Sequence, residues 1–397
     1  MQRYDVVVVG AGLAGLQCAR LLGAAGHRVL LMDRKASVDR SVHTTGIFVR
    51  RTLEDYLLPE ECLGPVVRRV ALYSPAGRAL PLESPHDEFR VGRMGPLYLR
   101  LLKDALGAGV EWLPDTRYAG CEPAEGGSVV RYDRGEERHR VHARLVVGAD
   151  GAGSRVARDL GLDRNTEWIV GVEDVLHGVP LEGPPCFHCF LDPELAPGYI
   201  AWVVHDGEET HLGTGGYAEG FRPLEALERF RARAAGLFDL SRAERVERRG
   251  GRIPVGGVLR RIASPRGLLV GDAAGAVSPL TAGGLDPCLR LSDLAARVAA
   301  DFLATGDPAA LAPYSGERFR AHFASRLRMR RALASVRSRA LVEAGCALLR
   351  SPLLRPMAAG VFFGRGSFPD VGVTMPLRSE GMRPAGRPGD RRVAAAV

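Results

Sequence analysis

The sequence predicts an α/β fold, with an α+β arrangement for the chain as a whole. A parallel-sheet domain is interleaved with an antiparallel-sheet domain, and a helical C-terminal region follows them. Three observations support this prediction. A continuous β-branched strand at residues 4–9 runs directly into a glycine-rich turn and a helix. Two later apolar strands, near residues 145 and 267, each end in an acidic residue beside glycine. Short apolar runs separated by turn residues fill much of the remaining chain, which is typical of antiparallel strands.

The composition is that of a folded globular protein with more than one domain. The chain has 397 residues, of which 46% are hydrophobic and 25% are charged, close to the average for globular proteins. The formal net charge is +8, but 52 of the 54 basic residues are Arg and only Lys35 and Lys103 are Lys. Nucleic-acid-binding surfaces usually place both residue types on phosphates, so we predict no nucleic-acid partner.

The first 33 residues carry a dinucleotide-binding pattern. The strand at residues 4–9 is followed by a G-x-G-x-x-G turn, a helix that ends near Gly26, and a strand at residues 29–32 that delivers Asp33. The glycines allow a tight turn, close approach of a pyrophosphate, and packing of the helix on the strand, while the helix N terminus offers free amides. Asp33 can accept hydrogen bonds from ribose hydroxyls and disfavours a 2′-phosphate. The predicted cofactor contacts here are Gly10, Gly12, Leu13, Ala14, Gly15, Asp33 and Arg34.

Two further segments distinguish between NAD and FAD as the occupant. The strand LVVGA ends at Asp150-Gly151, and the strand GLLV ends at Gly271-Asp272. With these motifs the sequence resembles the FAD-dependent oxidoreductases of the para-hydroxybenzoate hydroxylase superfamily over about residues 4–300, and it is most similar to the geranylgeranyl reductase-like branch. The resemblance implies a Rossmann-type FAD-binding domain with non-covalently bound FAD.

The resemblance also assigns expected roles to individual residues. Asp150 and Gly151 would organise the flavin site and transient nicotinamide docking, and Gly271 and Asp272 would hold the ribityl or ribose region of FAD. Arg93, which opens the segment RMGPLYLRL, matches an arginine that contacts FAD in this family, although a solvated residue at a helix start is the alternative. Only one complete dinucleotide fingerprint is present, so NAD(P)H or a reduced carrier is expected as a transient electron donor.

A proline and paired glycines precede the helix that begins near residue 285. Such a helix N terminus exposes amide groups and a positive dipole end. The family uses this loop to stabilise negative charge at the flavin N1–O2 locus, a form of cofactor tuning by the protein. The expected contacts are Pro279, Ala282, Gly283, Gly284 and Leu285.

Two branches of the family compete for the reaction. The segments GDAAGAVSPLTAGGL and PGYIAWVV are similar to the reductases that hydrogenate C=C bonds of isoprenoid-type or polyene substrates, which makes Tyr199 and Trp202 candidate substrate contacts. A spacing of three on a strand places these two side chains on opposite faces, so at most one is expected to face the substrate. The reductases carry a Cys in the loop that here reads His43-Thr44-Thr45-Gly46.

The loop residues His43, Thr44 and Thr45 are predicted cofactor contacts, and an ordinary loop histidine is the alternative for His43. The segment Arg51-Thr52-Leu53-Glu54 is similar to the aromatic hydroxylases, so a monooxygenase acting on an aromatic or polyketide-like substrate is the alternative enzyme. A flavin-binding, membrane-associated protein without turnover is the alternative of another class. We favour the reductase, assign no catalytic residue and predict no metal site.

The predicted domains are discontinuous. Residues 1–65, 91–164 and 265–310 form the FAD-binding domain, and residues 66–90 and 165–264 form the substrate domain, with a hairpin around Gly77. Residues 311–375 form the helical C-terminal region, and residues 376–397 are expected to be a disordered tail. Cys186 and Cys189 form a lone C-x-x-C pair, which we interpret as small apolar residues in a sheet.

One basic segment supplies most of the net charge. Residues 316–345 contain eight Arg and two Glu, and the stretch from Tyr314 to Gly345 is predicted to be helical, with Phe319, Phe323 and Leu327 on one face. A solvated basic face and contact with an anionic membrane are the two interpretations. The N terminus lacks the apolar core of a signal peptide, and no stretch of about 20 uncharged apolar residues is present. We expect a cytoplasmic protein that is peripheral at a membrane at most.

Overall fold

The structure is a computed structural model that describes residues 1–180 and 182–364. These residues form eighteen β-strands and ten α-helices. The strands of the N-terminal half are β1 (Arg3–Val9), β2 (Val29–Met32), β3 (Ile47–Val49), β4 (Leu63–Val67), β5 (Arg69–Tyr73), β6 (Ala79–Glu83), β7 (Phe89–Gly92), β8 (Glu111–Leu113), β9 (Thr116–Ala124), β10 (Gly127–Arg134) and β11 (Glu137–Gly148). The later strands are β12 (Trp168–His177), β13 (Cys186–Phe190), β14 (Ala201–His205), β15 (Thr210–Tyr217), β16 (Glu244–Pro254), β17 (Ala263–Ser264) and β18 (Gly267–Leu269).

The helices alternate with these strands until the C-terminal region, which is helical. They are α1 (Leu13–Ala24), α2 (Arg50–Asp55), α3 (Met94–Gly107), α4 (Arg155–Asp159), α5 (Pro223–Ala234), α6 (Leu285–Thr305), α7 (Gly316–His322), α8 (Ala324–Ser335), α9 (Arg339–Leu349) and α10 (Arg355–Phe363).

An eight-stranded sheet forms the first layer. Its path is β17-β18-β11-β1-β2-β8, and β10 and β9 extend it from β11 as an antiparallel ribbon. The pairs β18–β11, β11–β1, β1–β2 and β2–β8 are parallel. Val6, Val7 and Val8 are fully buried, because helices cover the sheet and α1 packs against α3 and α6. The predicted succession of strand, glycine turn, helix and strand at the N terminus is confirmed.

A seven-stranded sheet forms the second layer, in the order β16-β12-β15-β14-β13-β5-β6. All of its pairs are antiparallel except β13 with β5. Helix α5 packs on β12 and β15, where Phe230 is fully buried. The predicted hairpin around Gly77 is present as β5 and β6. Strands of the first sheet come from residues 3–32, 111–148 and 263–269, and those of the second from residues 69–83 and 168–254.

The C-terminal region is helical, as predicted. Between Tyr314 and Gly345 the chain forms three helices, with breaks at Phe323 and at residues 336–338. Val336 is in an extended conformation, and the side chain of Ser338 caps α9 by accepting from the amide of Leu341. The division into three helices was not predicted, because helical periodicity on both sides of a break does not reveal the break.

The apolar face predicted for this region is confirmed, since Phe319, Phe323 and Leu327 are all buried. Residues 365–375 of the predicted helical region, and the predicted tail at 376–397, lie outside the described residues. Among the described helices, none is both long and apolar enough to cross a bilayer.

Candidate active site

One large cavity of about 1220 Å³ lies between the two sheets and the C-terminal helices. Ligand pockets usually have volumes of roughly 300–1000 Å³, so this cavity has room for more than one ligand. Most of the residues predicted to contact cofactor or substrate line it, namely Gly10, Gly12, Leu13, Ala14, Asp33, Arg34, His43, Thr44, Thr45, Asp150, Gly151, Tyr199, Trp202, Gly271, Asp272, Ala282, Gly283, Gly284 and Leu285. Gly15, Arg93 and Pro279 are not among the lining residues.

The parallel strands explain why distant motifs meet at one end of this cavity. β1, β2, β11 and β18 all point the same way, so their carboxyl ends lie along one sheet edge. Gly10 follows β1, Asp33 follows β2, Asp150 follows β11 and Gly271 follows β18. Ligands of open α/β sheets bind at this edge.

The three motif glycines occupy three different environments. Gly10 has φ +102°, a left-handed conformation that favours glycine. A Cβ at Gly15 would collide with the carbonyl oxygen of Gly10, whereas a Cβ at Gly12 would meet no protein atom within 4 Å. The absence of a side chain at Gly15 thus lets α1 pack closely against the turn at Gly10. The absence of a side chain at Gly12 leaves the cavity open beside the first turn of α1.

The three motif acids also differ in their surroundings. Asp33 accepts from the amides of Ala11 at 2.7 Å and Lys35 at 2.9 Å, which fixes its carboxylate at the cavity wall. Asp150 accepts from Ser154 Oγ at 2.6 Å and from the amide of Arg155 at 2.7 Å, at the N terminus of α4. Desolvation raises the pKa of Asp272 to about 6.

The segment before α6 is a closed loop at the cavity wall. The amide of Ser278 donates to the carbonyl of Gly283 at 2.9 Å, and the amide of Ala282 donates to the carbonyl of Ser278 at 2.9 Å. Ala282 has φ +53°, and Gly284 is the N-cap of the 21-residue helix α6. The positive end of a long helix dipole therefore faces the cavity, as expected.

These features fit FAD. The open space at Gly12 and the first amides of α1 suit a pyrophosphate. The carboxylate of Asp272 lines the cavity in a low-polarity setting, where hydroxyl donors from a ligand would stabilise its charge. Asp33 stands at the end of β2 where a ribose is expected.

Arg93, which was expected to contact FAD, contacts protein groups in the structure. Its guanidinium pairs with Glu208 and with the carbonyl oxygen of Glu61, at the start of α3. Its contact with FAD stays a prediction. His43 lies at the cavity wall. Burial, and to a lesser extent the positive charge of Lys35, lower the pKa of His43, so its imidazole is neutral at pH 7. Its contact with a ligand also stays a prediction.

The prediction that only one of Tyr199 and Trp202 faces the cavity is wrong. β14 begins at Ala201, so Tyr199 lies in the turn before the strand and strand alternation does not apply to the pair. Both side chains line the cavity, and their rings form an edge-to-face pair with centroids 6.3 Å apart. Tyr199 Oη donates to the carbonyl of Thr281 at 2.8 Å.

A buried acidic group that the sequence did not reveal lies beside this pair. Glu173, on β12, lines the cavity and is only 3% exposed. Its Oε2 accepts from Thr45 Oγ1 at 2.6 Å and from Trp202 Nε1 at 3.3 Å. Its Oε1 lies 3.6 Å from the guanidinium of Arg249.

Glu173 is also the inner end of a chain of charged groups. His211 Nδ1 lies 3.5 Å from Glu173 Oε1, and His211 Nε2 lies 3.2 Å from Asp206 Oδ2. Asp206 Oδ1 accepts from the amides of Glu208 and Glu209 in a surface turn. The chain therefore extends from the cavity wall to the base of this turn, where Asp206 is itself buried. We name Glu173, His211 and Asp206 the acid–histidine chain.

The charges of this chain follow from its packing. Burial alone would lower the pKa of His211, but the carboxylates of Asp206 and Glu173 outweigh burial and raise it to about 9. Burial alone would raise the pKa of Asp206, but His211 and backbone amides lower it to about 2. His211, Thr45 and Arg249 likewise outweigh burial at Glu173 and lower its pKa. At pH 7 the chain holds an imidazolium between two carboxylates.

The far part of the cavity is apolar and belongs to the C-terminal helices. Side chains from α8, α9 and α10 line it, namely Met329, Leu333, Leu341, Val342, Cys346, Leu349, Met357, Ala358, Val361, Phe362 and Phe363. The cavity thus has a polar end at the first sheet and an apolar end at these helices. We name the latter the apolar compartment.

Cys186 and Cys189 lie in β13, and both thiols are free. The interpretation of this C-x-x-C pair as sheet residues is confirmed. Within residues 1–180 and 182–364, no group of three or more His, Cys, Asp or Glu side chains is placed to hold a metal ion.

Comparisons with known families agree with the site. Residues 98–327, more than half of the chain, match the FAD binding domain family, and residues 4–175 match the pyridine nucleotide-disulphide oxidoreductase family. Digeranylgeranylglycerophospholipid reductase 2 of Methanopyrus kandleri is 33% identical over 320 residues, which cover 77% of this chain and 79% of that protein. The digeranylgeranylglycerophospholipid reductase of Methanothrix thermoacetophila is 30% identical over 317 residues, covering 77% and 80%.

Solved structures share the fold. A geranylgeranyl bacteriochlorophyll reductase-like protein of Thermoplasma acidophilum superimposes with a TM-score of 0.80 at 21% identity, covering 92% of this chain and 98% of its own. The p-nitrophenol 4-monooxygenase of Pseudomonas putida superimposes with a TM-score of 0.70 at 18% identity, covering 92% and 100%. At these identities the two structures establish the fold alone.

Fold, site and family matches together define an FAD-dependent oxidoreductase, with a pyridine nucleotide as the class of electron donor. More narrowly, the chain belongs to the family of the digeranylgeranylglycerophospholipid reductases. The predicted FAD cofactor and the resemblance to the geranylgeranyl reductase-like branch are confirmed.

Proposed function

We propose that this protein hydrogenates C=C bonds of a hydrophobic, isoprenoid-like or polyene substrate. The observation that carries this proposal is the continuity of one cavity from the nucleotide-binding edge of the first sheet to the apolar compartment. An aromatic pair, Tyr199 and Trp202, lies between the two ends. The names of the relatives, which are reductases of an isoprenoid lipid, support the substrate class.

The amides of α1 and the carboxylates of Asp33 and Asp272 would hold FAD, which would supply a hydride equivalent to one alkene carbon when bound and reduced. We assign these contacts, and those of Gly283 and Gly284, as proposals. The pyridine nucleotide provides the two electrons. The other alkene carbon must receive a proton, and we assign its delivery to a side chain at the cavity wall.

The acid–histidine chain is our proposed source of that proton. His211 holds the proton on Nδ1, which faces Glu173 Oε1 at 3.5 Å; neither atom has another hydrogen-bond partner among the described residues. The proton moves to Glu173, which lines the cavity, and from Glu173 to the substrate carbon. Asp206, whose Oδ2 lies 3.2 Å from His211 Nε2, holds the imidazole from its other side and stabilises its positive charge.

Flavin reoxidation without oxygen tests the proposed reaction. The FAD-loaded protein is reduced under anaerobic conditions and mixed with a geranylgeranyl lipid or with an aromatic compound. We expect the isoprenoid to restore oxidised-flavin absorbance without O₂. Reoxidation that requires both O₂ and an aromatic compound would instead identify a monooxygenase, and no substrate-dependent reoxidation would identify a flavin-binding protein without turnover.

We also propose that the protein takes its substrate from an anionic membrane surface. Of the thirteen exposed large hydrophobic side chains in the described ranges, six lie between residues 329 and 357. Four of these six, Met329, Leu333, Leu341 and Met357, also line the cavity, so the apolar compartment opens on an apolar rim. Exposed arginines of the segment 316–345, such as Arg328 and Arg337, lie in the same region and suit anionic headgroups.

Vesicle sedimentation tests this docking. The wild-type protein should sediment with vesicles that contain anionic phosphatidylglycerol and less with neutral phosphatidylcholine vesicles. Leu341→Asp should weaken sedimentation, whereas Leu237→Asp, at an exposed position outside the rim, should not. Equal sedimentation of both variants would contradict the proposed surface.

A further inference from the structure

Helices α9 and α10 cover the apolar compartment but have little contact with the protein core. Within these two helices, residues 339–349 and 355–363, only Cys346 and Ala358 are buried, whereas most residues of α6 are buried. Their apolar side chains, such as Val342 and Val361, line the cavity instead of a packed interior. A segment with few buried apolar contacts opens locally at a lower free-energy cost than the core does.

The helix before this pair is anchored. Arg330 of α8 is only 2% exposed, and its guanidinium lies 5.1 Å from the ring centroids of both Tyr199 and Tyr217. Residues 336–338 join α8 to α9 in a non-helical conformation, with Val336 at φ −83° and ψ 98°. Because hinges are a few residues at the ends of elements, rotation at this link would move α9 and α10 and leave α8 in place.

Polar contacts hold α9 and α10 on the β5–β6 hairpin. Four charged side chains reach backbone groups of residues 75–81: Arg339 donates to the carbonyl of Pro75 at 3.0 Å, Glu343 accepts from the amide of Ala76 at 2.9 Å, Arg350 donates to the carbonyl of Arg78 at 3.3 Å, and Arg355 donates to the carbonyl of Pro81 at 2.7 Å. Arg339 also pairs with Asp192 at 3.2 Å and with Glu194 at 3.5 Å. We name these six contacts the latch.

The charged groups of the latch have partners that do not depend on its closure. Each carboxylate has a second guanidinium: Asp192 pairs with Arg233 at 2.6 Å, Glu194 with Arg229 at 3.3 Å, and Glu343 with Arg350 of its own segment at 3.8 Å. The carbonyl of Pro75 also accepts from Arg233 at 2.9 Å. A buried carboxylate that loses its only partner is strongly destabilising, but Asp192 would keep Arg233. The latch can therefore open and close reversibly.

The mouth of the apolar compartment lies across the link at residues 336–338. Met329 and Leu333, on one side, belong to the anchored helix α8, and Leu341 and Met357, on the other, belong to α9 and α10. Displacement of α9 and α10 would therefore separate the two sides of the mouth and widen it. Movements of this kind admit ligands to covered sites in many enzymes.

We propose that α9 and α10 form a lid over the apolar compartment, which opens at residues 336–338 and is held closed by the latch. The substrate chain enters the compartment while the lid is open. This inference rests on the proposed binding of a hydrophobic substrate in that compartment, and it adds how entry is controlled. The latch residues position the lid and have no assigned contact with the substrate.

Hydrogen exchange measured by mass spectrometry on the oxidised, FAD-loaded protein tests the lid without substrate. Amides of residues 339–363 should exchange together and faster than those of α6, because they share one opening. Arg339→Gln removes both ion pairs of the latch and should raise this common rate about threefold to tenfold.

Arg229→Gln is the matched control, because it removes the partner of Glu194 that lies outside the lid. It should not raise the exchange rate of residues 339–363. Exchange of these residues as slow as that of α6, in both the wild type and Arg339→Gln, would show that the two helices are a fixed part of the fold and would overturn the proposal.

A reversible cross-link tests entry. The double variant Ala76→Cys, Glu343→Cys places two thiols where the Ala76 amide and the Glu343 carboxylate meet, and a short bis(methanethiosulfonate) reagent joins them. Uptake of geranylgeraniol from phosphatidylcholine vesicles is measured as protein-bound alcohol after rapid separation. The cross-linked protein should take it up about tenfold more slowly or worse, since binding would require a blocked movement, and dithiothreitol should restore the rate.

The two single Cys variants, treated with the same reagent, should take up geranylgeraniol as the wild type does. Uptake at the wild-type rate by the cross-linked protein would overturn the lid as the route of entry. If the wild type bound no geranylgeraniol, the proposed substrate class would be refuted, and hydrogen exchange would still decide whether the lid opens.

Discussion

Thr45 Oγ1 and Glu173 Oε2 are joined by a hydrogen bond of 2.6 Å across 128 residues of sequence. The bond connects the loop after β2, at the nucleotide-binding edge, with the face of the second sheet. It therefore fixes the inner end of the acid–histidine chain at the place where cofactor and substrate are proposed to meet.

Replacing Glu173 with glutamine should remove the proposed proton path. The amide side chain of Glu173→Gln would keep hydrogen bonds to Thr45 and Trp202 but would not accept the proton of His211. We expect kcat for C=C reduction to fall about a hundredfold to ten-thousandfold, the usual contribution of a positioned general acid. Steady-state turnover and the rate of flavin reduction by the nucleotide should be measured together, since the latter should be unchanged.

Asp174→Asn is the matched control for Glu173→Gln. Asp174 is the next residue on β12, is equally buried, and pairs with Arg248 at 2.7 Å on the other face of the sheet. This variant should lose stability and keep its kcat. If Glu173→Gln also kept its kcat, Glu173 would be a structural residue only.

The stability of the protein should depend on pH through His211. The pKa of His211 is raised to about 9 in the folded state, against roughly 6.5 in an unfolded chain. The resulting stabilisation is complete below about pH 6.5 and is lost as the pH rises through about 9, and it is on the order of 3 kcal/mol. The lowered pKa values of Glu173 and Asp206 add no change in this window, because both groups are ionised throughout it.

Thermal unfolding of the holoprotein between pH 6 and pH 9.5 measures this effect. His211→Gln should be less stable at pH 6 and should lose the decline that the wild type shows above pH 6.5. His139→Gln, at a partly exposed histidine beside Glu137, should keep the wild-type profile. An undiminished decline in His211→Gln would show that other groups cause it.

Gly12→Val should abolish FAD retention without unfolding the protein. Gly12 has φ −77°, which other residues adopt readily, and a Cβ there would meet no protein atom within 4 Å. The side chain would instead fill the space proposed for the pyrophosphate. We expect the Kd for FAD to rise about a hundredfold or more, measured by flavin fluorescence on the apoprotein.

Gly107→Ala is the control, because a Cβ at this exposed end of α3 also meets open space and lies away from the cavity. It should bind FAD as the wild type does. Unchanged flavin content in Gly12→Val would refute the placement of the pyrophosphate.

FAD affinity should increase with pH through Asp272. Desolvation raises the pKa of this carboxyl to about 6 in the protein without ligand, and hydroxyl donors from the cofactor would favour its ionised form. Binding then displaces a proton below about pH 6, so the affinity rises with pH up to that point and is level above it. Asp272→Asn should bind FAD with no such pH dependence; an identical slope in the variant would contradict this role.

The sequence was sufficient to predict which motif residues meet at the carboxyl edge of the first sheet, where FAD is proposed to bind. Gly12, Asp33 and Asp272 each closely follow a strand, and the shared direction of parallel strands brings them together. That prediction needs only local sequence patterns and the rule that the carboxyl ends of parallel strands lie along one sheet edge. The same logic correctly located the hairpin at Gly77, where turn residues separate two short apolar runs.

The residues at the proposed substrate end of the cavity could not be predicted from local sequence patterns. Glu173, His211 and Asp206 meet only through the antiparallel pairing of β12 with β15 and the turn at Asp206, and none lies in a motif. The burial of Arg330 was not predicted, because the net charge of its segment suggested an exposed surface. Charge counts do not show which face of a helix is buried. Tyr199 was misplaced because it was treated as part of the strand that carries Trp202, whereas β14 begins at Ala201.

Product mass after anaerobic turnover tests the central claim most directly. The FAD-loaded protein, a reduced pyridine nucleotide and an isoprenoid substrate are incubated without O₂, and the lipid product is measured by mass spectrometry. We predict a gain of two hydrogen atoms for each reduced double bond, with one of the two derived from solvent when the reaction runs in D₂O. Unchanged substrate, or a product that gains oxygen only when air is admitted, would contradict it.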